Sequence, residues 1–278
     1  MNCLYCNGEL RSEPWNALTC LGCGSVMVQS PPTEEDLIKY YDNYLDAYHG
    51  GGAKVKSSSR QINWAKAYLR AVTKFAKKSG RLIDIGSANN PFPNIATASG
   101  YDVSVLDFNK PPSLDEKVSF LPGSLNEDVE LYKKLHSKFD IVTSWAVLEH
   151  CLYTKRAIEI MTALCKPGGC ILISTPEIGT VSEKYGAGRT PWFYPPEHIY
   201  LISRKALRLM FEEMGCEYIY AGKLEYSSLR WVLRYSLTWI EGILGMALRV
   251  LAPSKWAHLR YTRKTKAAGV TLAVFRKL

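Results

Sequence analysis

Two groups of residues in this 278-residue chain have the types and the spacing to do chemistry. The first is a set of four cysteines. Cys3 and Cys6 form one C-x-x-C pair and Cys20 and Cys23 a second, with thirteen residues between the pairs. That is a zinc-ribbon spacing. Each pair sits on a tight turn, and four thiolates close a tetrahedral Zn2+ site with no position left for water, which makes such a site structural. Gly8 and Gly24, each following a pair, are expected to supply the backbone angles of those turns. Four unligated thiols are the plainer alternative. The second group is Asp84, Gly86, Ser87, Ala88 and Asp107. The run from Arg81 to Gly86 reads as a strand entering a small-residue turn, where the backbone approaches a ligand closely. Asp107 ends a second apolar run about 20 residues on, the offset at which a carboxylate accepts hydrogen bonds from ribose hydroxyls. One glycine followed by Ala88, Asn90 and Pro91 departs from the Gly-x-Gly-x-x-Gly of pyrophosphate-binding turns, so a nucleoside cofactor without pyrophosphate is favoured. Ala88 is still small, and Asn90 tolerates a left-handed backbone.

These residues need a scaffold, and the hydrophobic pattern supplies one. Strands at about 81–86, 102–107, 117–121, 139–144 and 169–175 alternate with helical stretches, the pattern of a parallel sheet covered on both faces. Trp64, Ala67, Tyr68, Ala71, Val72 and Phe75 recur at helical spacing and form the core face of a helix before the first strand. A helix from Ser203 carries Leu207, Met210, Phe211 and Met214 on one face and stops at Gly215. Sixth and seventh strands follow at 217–220 and 269–275. Ligands on such a sheet bind beyond the carboxyl ends of the strands. Gly86, Asp107, Phe108, Ser124, Ser144 and Trp145 all fall at or just past those ends.

Four segments extend the pattern. Asp84 with the Gly86 turn resembles the Asp-x-Gly-x-Gly-x-Gly loop of class I S-adenosylmethionine-dependent methyltransferases, with the second and third glycines replaced. Phe139-Asp140-Ile141-Val142 and Leu148-Glu149-His150 resemble the fourth strand and following helix of that family. Leu164-Cys165-Lys166-Pro167-Gly168-Gly169 with the apolar run to Pro176 resembles its turn and fifth strand. Pro195-Pro196-Glu197-His198 through Ser203 is similar to the segment before the last helix in one bacterial branch. With the C-x-x-C pairs and a linker helix starting at Pro32-Thr33-Glu34-Glu35, residues 1 to about 222 resemble a bacterial subgroup common among enzymes of surface-polysaccharide and secondary-metabolite pathways. The resemblance implies a Rossmann-like α/β fold with a seven-stranded, mostly parallel sheet and helices on both faces. It also implies S-adenosylmethionine as cofactor, with Asp107 on the ribose, the Gly86 turn along the amino-acid portion and Ser124 near the adenine amine.

His198 follows aromatic and proline residues in a loop expected to cover the open end of the site. A loop histidine of near-neutral pKa there takes a proton from an acceptor hydroxyl or amine, or else fixes the loop by a hydrogen bond. His150, on the helix after the fourth strand, reads as a packing or capping residue with a catalytic role as the alternative. Methyl transfer needs mainly positioning, so a dedicated base is dispensable.

The chain divides into a zinc ribbon at 1–30, a linker helix and flexible loop at 31–60 that includes Gly50-Gly51-Gly52 and Ser57-Ser58-Ser59, and a methyltransferase domain at 61–278 with a helical insertion at 224–266. Within the insertion, 228–251 is strongly apolar yet carries Arg230, Arg234, Glu241 and Arg249, too many charges for a bilayer-spanning helix. It suits a membrane surface, a second copy of the chain, a lid or the parent domain. No signal peptide is read at the N-terminus, so a cytoplasmic location is expected, with peripheral contact at the inner membrane face as a variant. Cys151, Cys165, Cys170 and Cys216 lack paired spacing and read as buried small hydrophobes. The net charge of +9 is spread along the chain and defines no nucleic-acid surface. The expected reaction is methyl transfer to a small-molecule or carrier-linked acceptor such as a sugar, lipid or secondary-metabolite intermediate. A ribosomal RNA methyltransferase is the weaker alternative, because no base-reading tetrad follows the fourth strand. A scaffold that has lost its cofactor, suggested by Ala88 and Asn90, is the third.

Overall fold

The computed structural model describes residues 2–14, 16–37, 39–40, 57–126, 129–176, 178, 192–193, 195–224 and 270–278. The Gly50-Gly51-Gly52 stretch and the apolar segment 228–251 lie outside the described residues.

Three short strands, β1 (Leu10–Glu13), β2 (Ala17–Cys20) and β3 (Val26–Val28), open the chain as an antiparallel meander. Helix α1 (Ser59–Phe75) follows, and then the core alternates: β4 (Gly80–Ile85), α2 (Phe92–Ala98), β5 (Tyr101–Asp107), β6 (Ser119–Pro122), β7 (Phe139–Trp145), α3 (Thr154–Leu164) and β8 (Cys165–Pro176). A two-residue strand β9 (Tyr200–Leu201), helix α4 (Arg204–Glu213), β10 (Cys216–Lys223) and β11 (Val270–Lys277) complete the described chain. The main sheet has the order β10-β11-β8-β7-β4-β5-β6. Its five inner and right-hand strands are parallel, and β10 and β11 run antiparallel. The chain order reverses between β4 and β7, which is where an open sheet of this kind opens a ligand crevice.

Local chemistry explains the elements. Ser58 caps α1 reciprocally with Gln61, so the helix begins one residue earlier than the flexible loop expected through Ser59 allows. Ala65, Ala67, Tyr68, Ala71 and Val72 form its buried face, as their helical spacing requires. The Thr33 hydroxyl accepts from the Asp36 backbone N–H at 3.2 Å while Asp36 reaches back to Thr33, and a helical turn starts at Glu34. Strand β8 starts at Cys165, ahead of the expected position, because its pairing with β7 is broken and resumed around Lys166–Gly169. A Cβ on Gly169 would lie 2.6 Å from the Cys165 sulfur and 2.8 Å from the Lys166 carbonyl, so only glycine fits that excursion. Asp140 ties the amino ends of β7 and β4 together by accepting from the Arg81 N–H at 3.0 Å and pairing with Lys166 at 3.0 Å. The Asp of the Phe-Asp-x-Val motif is thus a strand-end fastener on the side away from the crevice.

The N-terminal meander is not a separate body. Strand β3 pairs antiparallel with β9, Val26 opposite Leu201 and Met27 opposite Tyr200. Val28 donates to the Ile199 carbonyl at 3.0 Å, and Ser25 Oγ accepts from the Ser203 N–H at 3.0 Å. Lys205 caps the Gly22 carbonyl at 2.8 Å, and Tyr5 meets Tyr200 edge to face. Cys3, Tyr5, Leu18 and Met27 are buried in the same apolar cluster as Ile158, Met161 and Phe211 of the main domain. Among the described residues, no helix is long and apolar enough to cross a membrane.

Candidate functional site

The crevice is built from the turns that leave β4, β5, β7 and β8. Gly86, immediately after β4, has a φ of +69°, and a Cβ there would come 2.6 Å from Val147 Cγ2. Its N–H donates to the Leu106 carbonyl at 2.9 Å, which ties the turn to β5. Two residues on, Ala88 has a φ of +43°, the left-handed region that glycine would normally occupy. The turn therefore keeps the backbone path of a glycine loop in spite of the alanine. Ala88→Gly is expected to raise stability by about 0.5–1 kcal/mol, the left-handed penalty of an L-residue less the added freedom of glycine in the unfolded chain. Chemical denaturation measures it, and a loss of stability would mean that the Ala88 methyl packs usefully.

Asp107 closes the opposite wall. Its Oδ2 accepts from the Ala88 N–H at 2.8 Å and its Oδ1 from the Phe108 N–H at 2.7 Å. Burial raises the carboxyl above the ordinary range, and the hydrogen bonds from Ala88, Phe108 and Asn109 oppose that shift. An ionised carboxylate has about four lone-pair directions, so at least one remains for a ligand's hydroxyl. Phe108 is 58% exposed beside it, an open aromatic face. Ser124 lies two residues past β6. Its backbone is clamped by the Tyr132 hydroxyl, which accepts from the Ser124 N–H at 3.0 Å and donates to its carbonyl at 2.7 Å. The Ser124 hydroxyl accepts from the Asn126 N–H.

At the carboxyl ends of β4 and β7 several buried polar atoms have no hydrogen-bond partner among the described residues: Asp84 Oδ2, Ser87 Oγ, Ser144 Oγ and Trp145 Nε1. Folded proteins leave few such atoms unpaired, and a concentration of them marks a place where a ligand's groups belong. Asp84 is fully buried, takes a 2.6 Å hydrogen bond from Thr143 on Oδ1, and is pushed well above the usual carboxylate range by burial. Trp145 is stacked on Tyr68 at 4.2 Å and touches Phe92 edge-on, so its ring belongs to the packed core and only its N–H edge is unsatisfied.

The histidines lie farther along the same edge. His150 sits in a 3-10 turn, Leu148–His150, rather than the expected helix, and donates Nδ1–H to the Glu197 carbonyl at 2.9 Å. His198 donates Nδ1–H to the Trp192 carbonyl at 2.7 Å. The two rings meet edge to face at 4.7 Å. Burial brings the His150 imidazole down to about 3 and that of His198 to about 4. The near-neutral pKa expected for His198 is therefore corrected: this loop is packed, with His198 only 4% exposed, and desolvation disfavours the imidazolium. At neutral pH both rings are neutral. Sequence reading did not single out Glu149, which is fully buried beside them with its carboxyl raised to about 8 by burial. Its placement within the Leu-Glu-His triplet was the available signal. From the linker side, the Tyr40 hydroxyl donates to the Glu197 carboxylate at 3.1 Å.

The four N-terminal cysteines converge. All their sulfurs lie within 4.8 Å of one another, with Cys3 and Cys23 3.7 Å apart and Cys6 and Cys20 3.4 Å apart. Four sulfurs around a tetrahedral ion with bonds of about 2.3 Å are about 3.8 Å apart. The Tyr5 N–H points at the Cys3 sulfur and the Cys23 N–H at the Cys20 sulfur, as in turns that present thiolates. Gly24 has the left-handed φ expected of it, +76°. Gly8 does not: Asn7 takes the left-handed position at +56°, and Gly8 is needed because a Cβ would crowd the Cys6 and Cys20 sulfurs at 3.2 Å. Cys151, Cys165, Cys170 and Cys216 are buried and dispersed as read.

A family model described as a methyltransferase domain matches residues 58–221. A ubiquinone biosynthesis O-methyltransferase of Nitrosococcus oceani is 27% identical over 114 residues, which cover 39% of this chain and 48% of that protein. The chain thus spans about half the length of the curated relative it matches. Among solved structures, a 1,6-didemethyltoxoflavin N1-methyltransferase of Burkholderia thailandensis, bound to 1,6-didemethyltoxoflavin and S-adenosylhomocysteine, has a TM-score of 0.58 at 14% identity, covering 97% of this chain and 99% of that one. The [4+2]-cyclase SpnF has a TM-score of 0.57 at 16% identity, covering 89% and 97%. Both likenesses are likenesses of fold.

Proposed function

The chain belongs to the methyltransferase domain family, and from that premise we propose that it binds S-adenosylmethionine in the crevice at the ends of β4 and β5 and transfers its methyl group to a small-molecule or carrier-linked acceptor. A cyclase shares the fold, so the fold by itself does not carry this reading. The observation that carries it is the pairing of Asp107 with the Ala88 turn: a carboxylate held by two backbone N–H groups, opposite a left-handed turn that keeps side chains away from the ligand's path.

When bound, the cofactor supplies a methyl group on a sulfonium sulfur, and its displacement needs positioning above all. Asp107 is assigned the ribose hydroxyls, and the exposed ring of Phe108 a face of the base. Asp84 Oδ2, Ser87 Oγ and Ser144 Oγ, buried and without partners among the described residues, suit the ammonium and carboxylate of the amino-acid portion. The left-handed φ values of Gly86 and Ala88 favour this reading over the scaffold alternative, since alanine at position 88 has not closed the turn. The neutral rings of His150 and His198 stand at the acceptor side, where they orient an acceptor.

Asp107→Ala is expected to weaken cofactor affinity by about 1–3 kcal/mol, the scale for losing a charged hydrogen-bond acceptor. Calorimetric titration with S-adenosylmethionine measures it, and unchanged affinity would refute the assignment. Turnover of a panel of hydroxylated and amino acceptors with methyl-labelled cofactor tests the reaction itself.

We further propose that Cys3, Cys6, Cys20 and Cys23 hold one structural Zn2+. What supports this reading is the convergence of the four sulfurs at separations that suit a tetrahedral ion, which on binding would displace the remaining thiol protons.

A further inference from the structure

Glu149, His150 and His198 form a second cluster, and its ligating atoms all lie within 4.8 Å of one another. Two residues come from the turn after β7 and one from the segment before β9. They are joined by a backbone hydrogen bond of 2.9 Å from Ile199 N–H to the Glu149 carbonyl, so the chain itself holds the two segments together.

Two features separate this cluster from a packed histidine pair. Each imidazole commits its Nδ1–H to a main-chain carbonyl, His150 to Glu197 and His198 to Trp192. That fixes the tautomer with the lone pair on Nε2, which is the outer-shell arrangement found behind metal-binding histidines. The second feature is Glu149. It is wholly buried, and although the Thr175 hydroxyl lies close enough to act on its carboxyl, neither carboxylate oxygen has a well-formed hydrogen bond among the described residues. A carboxyl sealed in this way is costly unless something cationic or a donor meets it.

We propose that Glu149, His150 and His198 form a binding site for a divalent transition-metal cation, with two imidazole nitrogens and one carboxylate as ligands. Imidazole with carboxylate suits Mn2+, Fe2+ or Zn2+, whereas the four thiolates at the N-terminus select a softer environment. A three-residue set leaves coordination positions open for water or for an acceptor oxygen. The position along the crevice fits that use. Val147 packs against Gly86 and leads directly into the turn bearing Glu149 and His150. Use of the cation on an acceptor oxygen rests on the methyl-transfer reading, whereas cation binding itself does not.

The test is titration of the full-length protein, its cysteine cluster loaded with zinc, with Mn2+ followed by the paramagnetic resonance of the free ion. Mn2+ competes poorly for thiolates, so it reports on the second site. One saturable Mn2+ per chain is expected, with affinity lowered about 100-fold or more in Glu149→Gln and in His198→Gln. Glu149→Gln is nearly isosteric and removes the anionic ligand, so it keeps the fold, and thermal melts of both variants verify this. Absence of saturable Mn2+ binding in the parent overturns the proposal, as does equal binding in the two folded variants. Calorimetry with S-adenosylmethionine on the parent reports separately on the cofactor site, so failure of either reading is visible alone.

Discussion

Gly86→Val is expected to abolish cofactor binding and to destabilise the protein by about 2–5 kcal/mol. Two costs combine. A φ of +69° penalises an L-residue by about 1–2 kcal/mol, more for a β-branched one. The added Cβ meets Val147 Cγ2 at 2.6 Å and Cγ1 at 3.2 Å, and overpacking of this kind costs about 1–3 kcal/mol. Relief of the contact must shift the turn, whose backbone is tied to β5 through the hydrogen bond from the Gly86 N–H to the Leu106 carbonyl, and so disturbs the path assigned to the amino-acid portion. Denaturant unfolding and calorimetric titration with S-adenosylmethionine measure the two effects. A second substitution separates them: Val147→Ala in a Gly86→Ala background should recover the steric part and leave the conformational part. Cofactor affinity within threefold of the parent in Gly86→Val would remove this turn from the binding site.

What could be read beforehand depended on how local each signal was. The strands were legible because β4, β5, β7 and β8 are buried on both faces and therefore appear as continuous apolar runs such as Ile141-Val142 and Ile171-Leu172-Ile173. The cysteine cluster was legible because two knuckles at a fixed spacing carry the whole site. Other features depended on partners distant in sequence. The two-residue β9 carries no periodicity of its own, and only pairing with β3, more than 170 residues earlier, makes it a strand. Gly8 was assigned a backbone role because glycines after knuckles usually have one. Its actual role, leaving space for two sulfurs, appears only when the cluster is assembled. Ala88 in a left-handed turn contradicts local propensity, and the hydrogen bond from its N–H to Asp107 is one tertiary contact that holds it there. Glu149 was hidden for the opposite reason: inside a recognisable triplet the histidine draws the eye, and nothing local shows that the carboxylate is sealed from water.

Removal of the proposed zinc from the cysteine cluster is expected to reach the acceptor side of the site. Strands of four, four and three residues bury too little surface to stand alone, so the meander would depend on the proposed metal and on its seam with the main domain. That seam is β3 against β9, and β9 begins two residues after His198. With the cysteines unligated, Val28 and Ser25 lose the geometry with which they hold Ile199 and Ser203. Ile199 in turn anchors Glu149. Chelation, or Cys20→Ser, should therefore release one zinc per chain and accelerate amide hydrogen exchange in residues 2–28 and 199–203. Turnover should fall by about 100-fold, the scale for displacing a positioning group by roughly 1 Å. Cofactor affinity should change little, because Gly86, Ala88 and Asp107 are tied to one another and to β4 and β5. The pattern is diagnostic: slower turnover with retained affinity identifies the metal unit as a brace for the acceptor side. If zinc-free protein keeps both its exchange protection at 199–203 and its turnover, the meander is held by packing alone and the brace does not exist.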